Sequence, residues 1–532
     1  MKLTQMKRIM VIVCALLTAL VVLTGCATKS GTTTATLAPS VAASSSATEA
    51  PPSPAIDTSK LVTIDFQVMG DAPTNGQDTL VLAKMNEYLK GKINCDMKFR
   101  WTGWTDWQTQ YNLLVATGEG LDLVSSGSDW LDTWPNAQKG AWLALDDLLP
   151  KYAPKTFAEI PQSDWNMSKY NGKIVCFPEN TYTQYVNHGF FYRHDWAKKA
   201  GLDKITSWEQ FGQYLDYIKK NMPGVIPWDS ANLGVATGWF ISKTNSANVD
   251  AVPGELLWFK DYSTDPYKVY CPYLEQTFED YAILMKQWAD AGYWKVDVLN
   301  NKDDTRQFLK DGKTGVDQHH VQTYLSLRIE MDKAQPGSDL QMFGFFEPTK
   351  NLVNMPITHG ATTISARSKN PERATMLYEI IRQEKDFYML LNYGIKDVNY
   401  YINDKGQKYT PDNFDTTKFG FSSDFWGGRV DKFEPDNASA WSGRADYMKY
   451  LDGFAKPYLW GNFVFDQSSV STEIAAINNV ATSMRNAIAL GMAGDPKKAV
   501  ADFRSQLKAA GIETVIAEVQ KQVDAWKVAN GK

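Results

Sequence analysis

Histidine and cysteine are both scarce in this chain of 532 residues, with five of each, and the scarcity removes whole classes of chemistry. Beyond Cys26 only Cys95, Cys176 and Cys271 remain, odd in number and widely spaced, so neither a disulfide framework nor a CxxC metal motif is expected. No HExxH and no EF-hand loop occurs. The one histidine pair, His319–His320, is adjacent, and neighbours on a helix project about 100° apart, the wrong spacing for chelating one ion. "LKDGKTG" (309–315) is not a phosphate loop, because Gln307 stands where its first glycine belongs. "SSGSD" (125–129) does not fit the GxSxG nucleophile elbow, Asp129 standing against the pattern. A facing carboxylate pair stays open among 60 acidic residues, but nothing singles one out. No catalytic residue, metal or cofactor is therefore expected. Basic excess is also lacking. The formal charge is −5, which argues against nucleic acid and against lying flat on anionic lipid. No internal repeat is visible.

What is present begins at the N-terminus. Lys2, Lys7 and Arg8 precede an apolar run, Ile9 to Leu23, which small residues and Cys26 close. A basic end, a short apolar core and a small-residue cleavage site make a secretory signal over 1–25. Leu23-Thr24-Gly25-Cys26 resembles the bacterial lipobox, in which the cysteine is acylated and becomes the mature N-terminus. Two or more acyl chains on Cys26 would hold the protein at a membrane stably. Residues 26–59 follow as a Ser/Thr/Ala/Pro tract too poor in apolar groups to order itself. As a flexible coil it would reach roughly 30 Å.

The body beyond it has about 470 residues, too many for one hydrophobic core. Its first stretch alternates strand and helix patterns. "LVTIDFQVMGDAP" (61–73), "INCDMKFRW" (93–101) and "LDLVSSGSDW" (121–130) read as strands, with "QDTLVLAKMNEYLKGK" and "DWQTQYNLLVATGEG" as the intervening helices. That order predicts a parallel α/β sheet with ligand beyond the strands' carboxyl ends, at Asp71 and at Asp129–Trp130. Amphipathic helices are expected at 207–220, 273–292 and 321–334, a returning strand at 360–368, a hairpin turning at Asp404–Gly406, and a helical C-terminus.

Eighteen tryptophans are the one unusual count. Trp142, Trp196 and Trp208 sit in helical or apolar contexts and read as packing residues. In "FPENTYTQYVNHGFFYRHDW" (177–196), "PWDSANLGVATGWF" (227–240) and "FWGGR" (425–429), aromatics stand beside polar groups in expected loops. Flat rings stack on the apolar faces of sugars, and Asp, Glu, Asn and His bond to hydroxyls. The same combination also serves protein interfaces.

Residues 60–532 resemble the extracellular solute-binding proteins of bacterial ABC importers, family 1, in the large carbohydrate-type lipoprotein group. The resemblance is carried in order by "GAWLALDDLLPKYAP" (140–154), "YNGKIVCFPENTYTQYVNHGFFYRHDWAKKAGL" (170–202), "GATTISARSKNPERATMLYEII" (360–381), "NYGIKDVNYYINDKGQKY" and "LKAAGIETVIAEVQKQVDAW". It implies a two-lobed α/β periplasmic-binding-protein-like fold with crossing hinge strands and a helical C-terminus. The lobes would comprise 60–183 with 357–400, and 184–356 with most of 401–532. Ligand contacts are expected from Asp71, Asp129, Trp130, Glu179, Tyr182, Trp228, Trp239, His319, His359 and Trp426. The calcium loop of some relatives is replaced here by "KKNMPGVIPW", without carboxylates, so no ion is expected. The expected partners are an oligosaccharide, the transmembrane permease and a membrane reached through the lipid anchor. The expected state is a monomer on the extracellular face. A surface lipoprotein that degrades polysaccharide, and a binding protein for peptides or another solute, stay open as alternatives.

Overall fold

The computed structural model describes residues 57–179, 188–229, 234–249, 255–423 and 425–532. Seven strands organise the site: β1 (Val62–Met69), β2 (Cys95–Thr102), β3 (Leu123–Ser126), β4 (His188–Tyr192), β5 (Val316–His320), β6 (Gln341–Gly344) and β7 (Ala361–Ile364). The helices that cover them include α1 (Gln77–Ile93), α2 (Trp107–Thr117), α3 (Trp208–Asn221), α4 (Gln276–Asp290), α5 (Val321–Ala334), α6 (Pro371–Gln383) and α7 (Lys385–Tyr393). A C-terminal trio follows: α8 (Ser471–Ala489), α9 (Pro496–Ala509) and α10 (Ile512–Ala529).

The first sheet has the order β7-β3-β1-β2. β1 pairs in parallel with β2, from Val62 opposite Cys95 to Met69 opposite Thr102, and in parallel with β3. β7 closes the edge antiparallel to β3. Strand–helix–strand crossovers produce this parallel arrangement and align the carboxyl ends at Met69, Thr102 and Ser126. β1 alternates apolar and polar residues, yet both its faces are covered. Ile64, Phe66 and Val68 enter the first core, while Asp65 and Gln67 are just as buried. Those polar groups are satisfied: Asp65 pairs with Lys98 and Arg100, and Gln67 bonds to Thr102 and to the Ser125 amide. Without such partners each would cost on the order of 1–3 kcal/mol.

The second sheet, β5-β4-β6, is antiparallel throughout and lies in another core. Phe190 of β4 is its centre, stacked on Phe211 at 4.0 Å and flanked edge-on by Trp208, Trp228 and Phe345. Much of the aromatic surplus is used here. α3 starts where expected because Ser207 caps it, its hydroxyl accepting from the Gln210 amide at 3.2 Å. The final helix lays Val515, Val519 and Val523 on the same core.

The chain passes from the first core to the second between Glu179 and His188, and returns between Phe346 and Thr358. The two passages pair at both ends. Phe177 exchanges backbone bonds with Thr362, the Glu179 amide donates to the Ile357 carbonyl at 2.8 Å, and the Phe345 amide donates to the His188 carbonyl at 2.9 Å. The hairpin forms at Tyr401–Ile402 and Lys408–Tyr409, with Gly406 at φ 78° in its turn. Its Tyr400 and Ile402 pack with Tyr388, Val430 and Phe433, and Phe425 enters the first core. From Trp441 onward the chain packs mainly with β4 to β6 and their helices, while Val464 packs on the first lobe beside Trp134 and Trp142.

Candidate functional site

Three loops leave the aligned carboxyl ends of β1, β2 and β3 and carry Asp71, Trp104 with Trp107 where the second loop enters α2, and Asp129 with Trp130. The Asp71 carboxylate accepts the Trp104 amide proton at 3.2 Å, which ties the first loop to the second. Trp130 gathers the other rings. Trp104 lies stacked at 6.5 Å, Trp107 tilted at 5.7 Å and His359 tilted at 6.3 Å. Trp104 is 38% exposed, a large apolar face open to solvent.

His359, just before β7, locks the third loop from behind. Its Nδ1 lies 2.8 Å from both Asp129 oxygens, and its backbone carbonyl accepts the Trp130 indole proton at 2.9 Å. The approach needs a bare backbone, because a methyl group on Gly127 would overlap both the Trp130 ring and the His359 carbonyl. Thr358 and Ser128 reinforce the pairing through a hydroxyl–hydroxyl bond of 2.9 Å.

The other lobe contributes three histidines. The antiparallel register of β4 and β5 sets His320 directly opposite His188. The His188 ring stacks on His319 at 5.3 Å and meets His320 edge-on at 5.8 Å. Local bonds fix the rings. Gln318 Nε2 donates to His188 Nδ1 at 3.0 Å, and the Thr323 amide donates to His320 Nδ1 at 3.3 Å, where His320 caps α5. An Nδ1 that accepts carries no proton, so both rings are neutral with the proton on Nε2. Burial, reinforced by the neighbouring histidines, pushes His188 down to about 3 and His320 down to about 2. Burial and then Arg306 push His319 down to about 4. Arg306 itself holds Asp317 at 2.8 Å.

These two groups sense each other. His359 bears electrostatically on both His188 and His320, and Asp129 on His188, so the histidines of one lobe face the Asp129–His359 pair of the other. Glu179 lies at the start of the passage between the lobes, 5% exposed, with its carboxylate against Gly360. Burial raises it to about 7, and His359 and Arg429 only partly offset that. Among the described residues no group of three or more His, Cys, Asp or Glu is arranged to hold a metal ion.

Asp71, Asp129, Trp130, Glu179, His319 and His359 thus fall at or beside one region. Trp228 and Trp239 do not join it. Trp228 is 1% exposed, wedged edge-on against Phe190 and Trp294. Trp239 lies on a helix, Gly234–Lys243, packs on Trp208 and Tyr281, and donates its indole proton to the Thr277 carbonyl. Both have their faces spent on core packing. Tyr182 and the Trp426 side chain lie outside the described residues. Sequence reasoning singles out His188, beside a glycine at a segment boundary, as it does His359, but passes over Trp104, Trp107 and His320. The first two had a signal in "WTGWTDW" (101–107), an aromatic loop at a strand end like that of Asp129. His319–His320 ends a strand rather than lying on a helix, and its meeting with His188 depends on a strand pairing far apart in sequence.

Two cores joined by paired crossing segments, with strand-end loops of one facing a polar cluster of the other, define a two-lobed α/β binding protein. The chain belongs to the bacterial extracellular solute-binding proteins, whose family model matches residues 73–378, more than half its length. A second model, a domain of unknown function (DUF3502), matches residues 460–528, the C-terminal helices. The chain is 24% identical over 480 residues to a carbohydrate ABC transporter substrate-binding protein of Streptococcus pneumoniae serotype 4, covering 89% of this chain and 92% of that one. Among solved structures it is similar to the N-glycan transport solute-binding protein NgtS of S. pneumoniae, with TM-score 0.72, 22% identity, and coverage of 89% and 100% of the two chains. NgtS in complex with Man5GlcNAc superposes with TM-score 0.66, 23% identity, and coverage of 89% and 100%. FusA of S. pneumoniae in complex with kestose gives 0.62, 15% identity, and coverage of 88% and 100%. At these identities the likeness establishes the two-lobed fold.

Proposed function

We propose that this protein captures an oligosaccharide between its lobes outside the cell and hands it to the permease of an ABC importer, performing no chemistry itself. The observation that carries the reading is the wall of Trp104, Trp107 and Trp130, braced by Asp129 and His359 and facing His188, His319 and His320. Indole faces stack on the apolar faces of sugar rings, while neutral imidazoles and carboxylates bond to hydroxyls. Names of similar proteins, including a carbohydrate substrate-binding protein and an N-glycan binder, support the same class of ligand. The paired segments Phe177–Glu179 with Ile357–Thr362, and His188 with Phe345, would act as the hinge, dividing a lobe of 57–179 with 357–434 from one of 188–356 with 441–532. Cys26 would carry the lipid, the tract to residue 59 would act as the tether, and the folded body would work as a monomer beside its permease.

The test is intrinsic tryptophan fluorescence and calorimetry of the lipidated protein in detergent against di- to hexasaccharides and a peptide pool. Sugars that bind without being converted are the expected result. A response to peptides alone would overturn the ligand class. Sugar conversion would overturn the binding reading in favour of a polysaccharide-degrading lipoprotein.

A further inference from the structure

We infer that the site selects uncharged oligosaccharides and rejects those bearing carboxylate or phosphate groups. The inference rests on the carbohydrate reading above and names the subclass. Four carboxyl groups stand at the site: Asp71 and Asp129 at the strand ends, Asp317 on the strand that carries the histidines, and at the passage Glu179, which burial keeps partly protonated near neutral pH. The guanidinium groups that bear on these residues are already opposed by carboxylates. Arg306 holds Asp317 at 2.8 Å, and Arg429 bears on Glu179. An incoming carboxylate would therefore meet like charge with its natural partners committed elsewhere, a repulsion strengthened by partial burial.

The histidines point the same way. A protonated imidazole would welcome an anion, but His188 and His320 each accept a hydrogen bond at Nδ1 and so hold only the Nε2 proton. A ring in that state suits a hydroxyl. Beside them Gln318, 4% exposed, keeps its Oε1 buried with no hydrogen-bond partner among the described residues. That oxygen requires a donor. A sugar hydroxyl that reached it would supply one, while a carboxylate in the same place has no proton to give and would leave it unsatisfied.

The test is calorimetry at pH 7.5 on the lipidated protein in detergent, with di- to hexasaccharides of glucose, mannose and galactose, each beside the uronate of the same length. At least one neutral series should bind, with its uronate roughly a hundredfold weaker. A uronate that binds as tightly as its neutral counterpart overturns this inference and leaves the carbohydrate reading standing. Failure of both series overturns the carbohydrate reading, and this inference with it. In the double variant Asp71→Asn/Asp129→Asn the preference for neutral over uronate ligand should narrow roughly tenfold. An unchanged ratio would show that these carboxylates do not set the selectivity, and would overturn the mechanism argued here.

Discussion

His359 holds both carboxylate oxygens of Asp129 at 2.8 Å through one ring nitrogen, although the two residues lie 230 positions apart. The contact joins the loop after β3 to the end of the return passage, so the floor of the site and the hinge share a bond. The same histidine accepts the Trp130 indole proton with its carbonyl, which fixes the orientation of the ring that gathers the aromatic wall. His359→Ala should free the Asp129 loop. Sugar affinity should fall by roughly tenfold or more, while His359→Gln, which keeps a donor for Asp129, should recover part of it. Calorimetric titration of both variants checks this. Equal loss in the two would mean that the bond to Asp129 is not what the site needs.

Tryptophans of the wall and of the core should separate cleanly. Trp228→Ala removes a fully buried ring between Phe190 and Trp294 and should cost about 3–5 kcal/mol of stability. Trp130→Ala removes a half-buried ring and should cost less stability, but about 1–3 kcal/mol of binding. Denaturant midpoints and sugar affinities, measured side by side, decide the assignment. A Trp130→Ala variant that binds normally would remove it from the site.

That contrast also shows where the sequence is readable. Asp71, Asp129 and Trp130 follow short alternating segments, and the rule that ligands gather beyond parallel strand ends locates them without tertiary information. "PWDSANLGVATGWF" looks the same locally, a polar, glycine-bearing stretch with aromatics. Its second half is instead a helix, and tertiary packing against Trp208 takes Trp239 into the core. His188 and His320 lie far apart in sequence, and only the register of β4 with β5 makes them neighbours. Local periodicity carries no information on that register. The hairpin was legible from its turn, while its packing on Tyr388 was not, because nothing in the strand pattern says which core a short hairpin joins.

The histidine cluster makes the folded protein sensitive to acid. His188, His319 and His320 are held near 3, 4 and 2, chiefly by burial, whereas an unfolded histidine titrates near 6.5. Below about 6.5 the unfolded chain therefore binds protons that the folded chain refuses, and stability falls as pH falls. Glu179, raised to about 7, works the other way. Between about 4.5 and 7 the folded chain keeps a proton the unfolded one has lost, so its contribution declines as pH rises. Three groups outweigh one, and the net trend is destabilisation on acidification. Urea midpoints from pH 7.5 to 5 should fall, and His320→Gln should flatten the slope. A variant as acid-sensitive as the parent would show that this ring does not carry the effect.

Gly127 offers the sharpest test of how the site is built. It precedes Ser128 and Asp129, and its bare backbone lets the Trp130 ring and the His359 carbonyl close on each other. Gly127→Ala inserts one methyl group into the contact between the Trp130 ring and the His359 carbonyl. The His359 side of the clash is backbone, held by the Ser128 amide bond to Thr358 at 3.0 Å, so the indole must swing away. Overpacking of this kind costs about 1–3 kcal/mol, and the loss should fall on binding as well as on stability because the ring that moves is the centre of the wall. The expected result is a lower denaturant midpoint together with weakened sugar binding and an altered tryptophan emission. Gly140→Ala is the control. Its backbone, unlike that of Gly127, is left-handed, at φ 73°, but its surroundings are open, so it should lose some stability through backbone strain and leave binding untouched. If Gly127→Ala matched that control in binding, the close approach of Trp130 to His359 would not be what shapes the site.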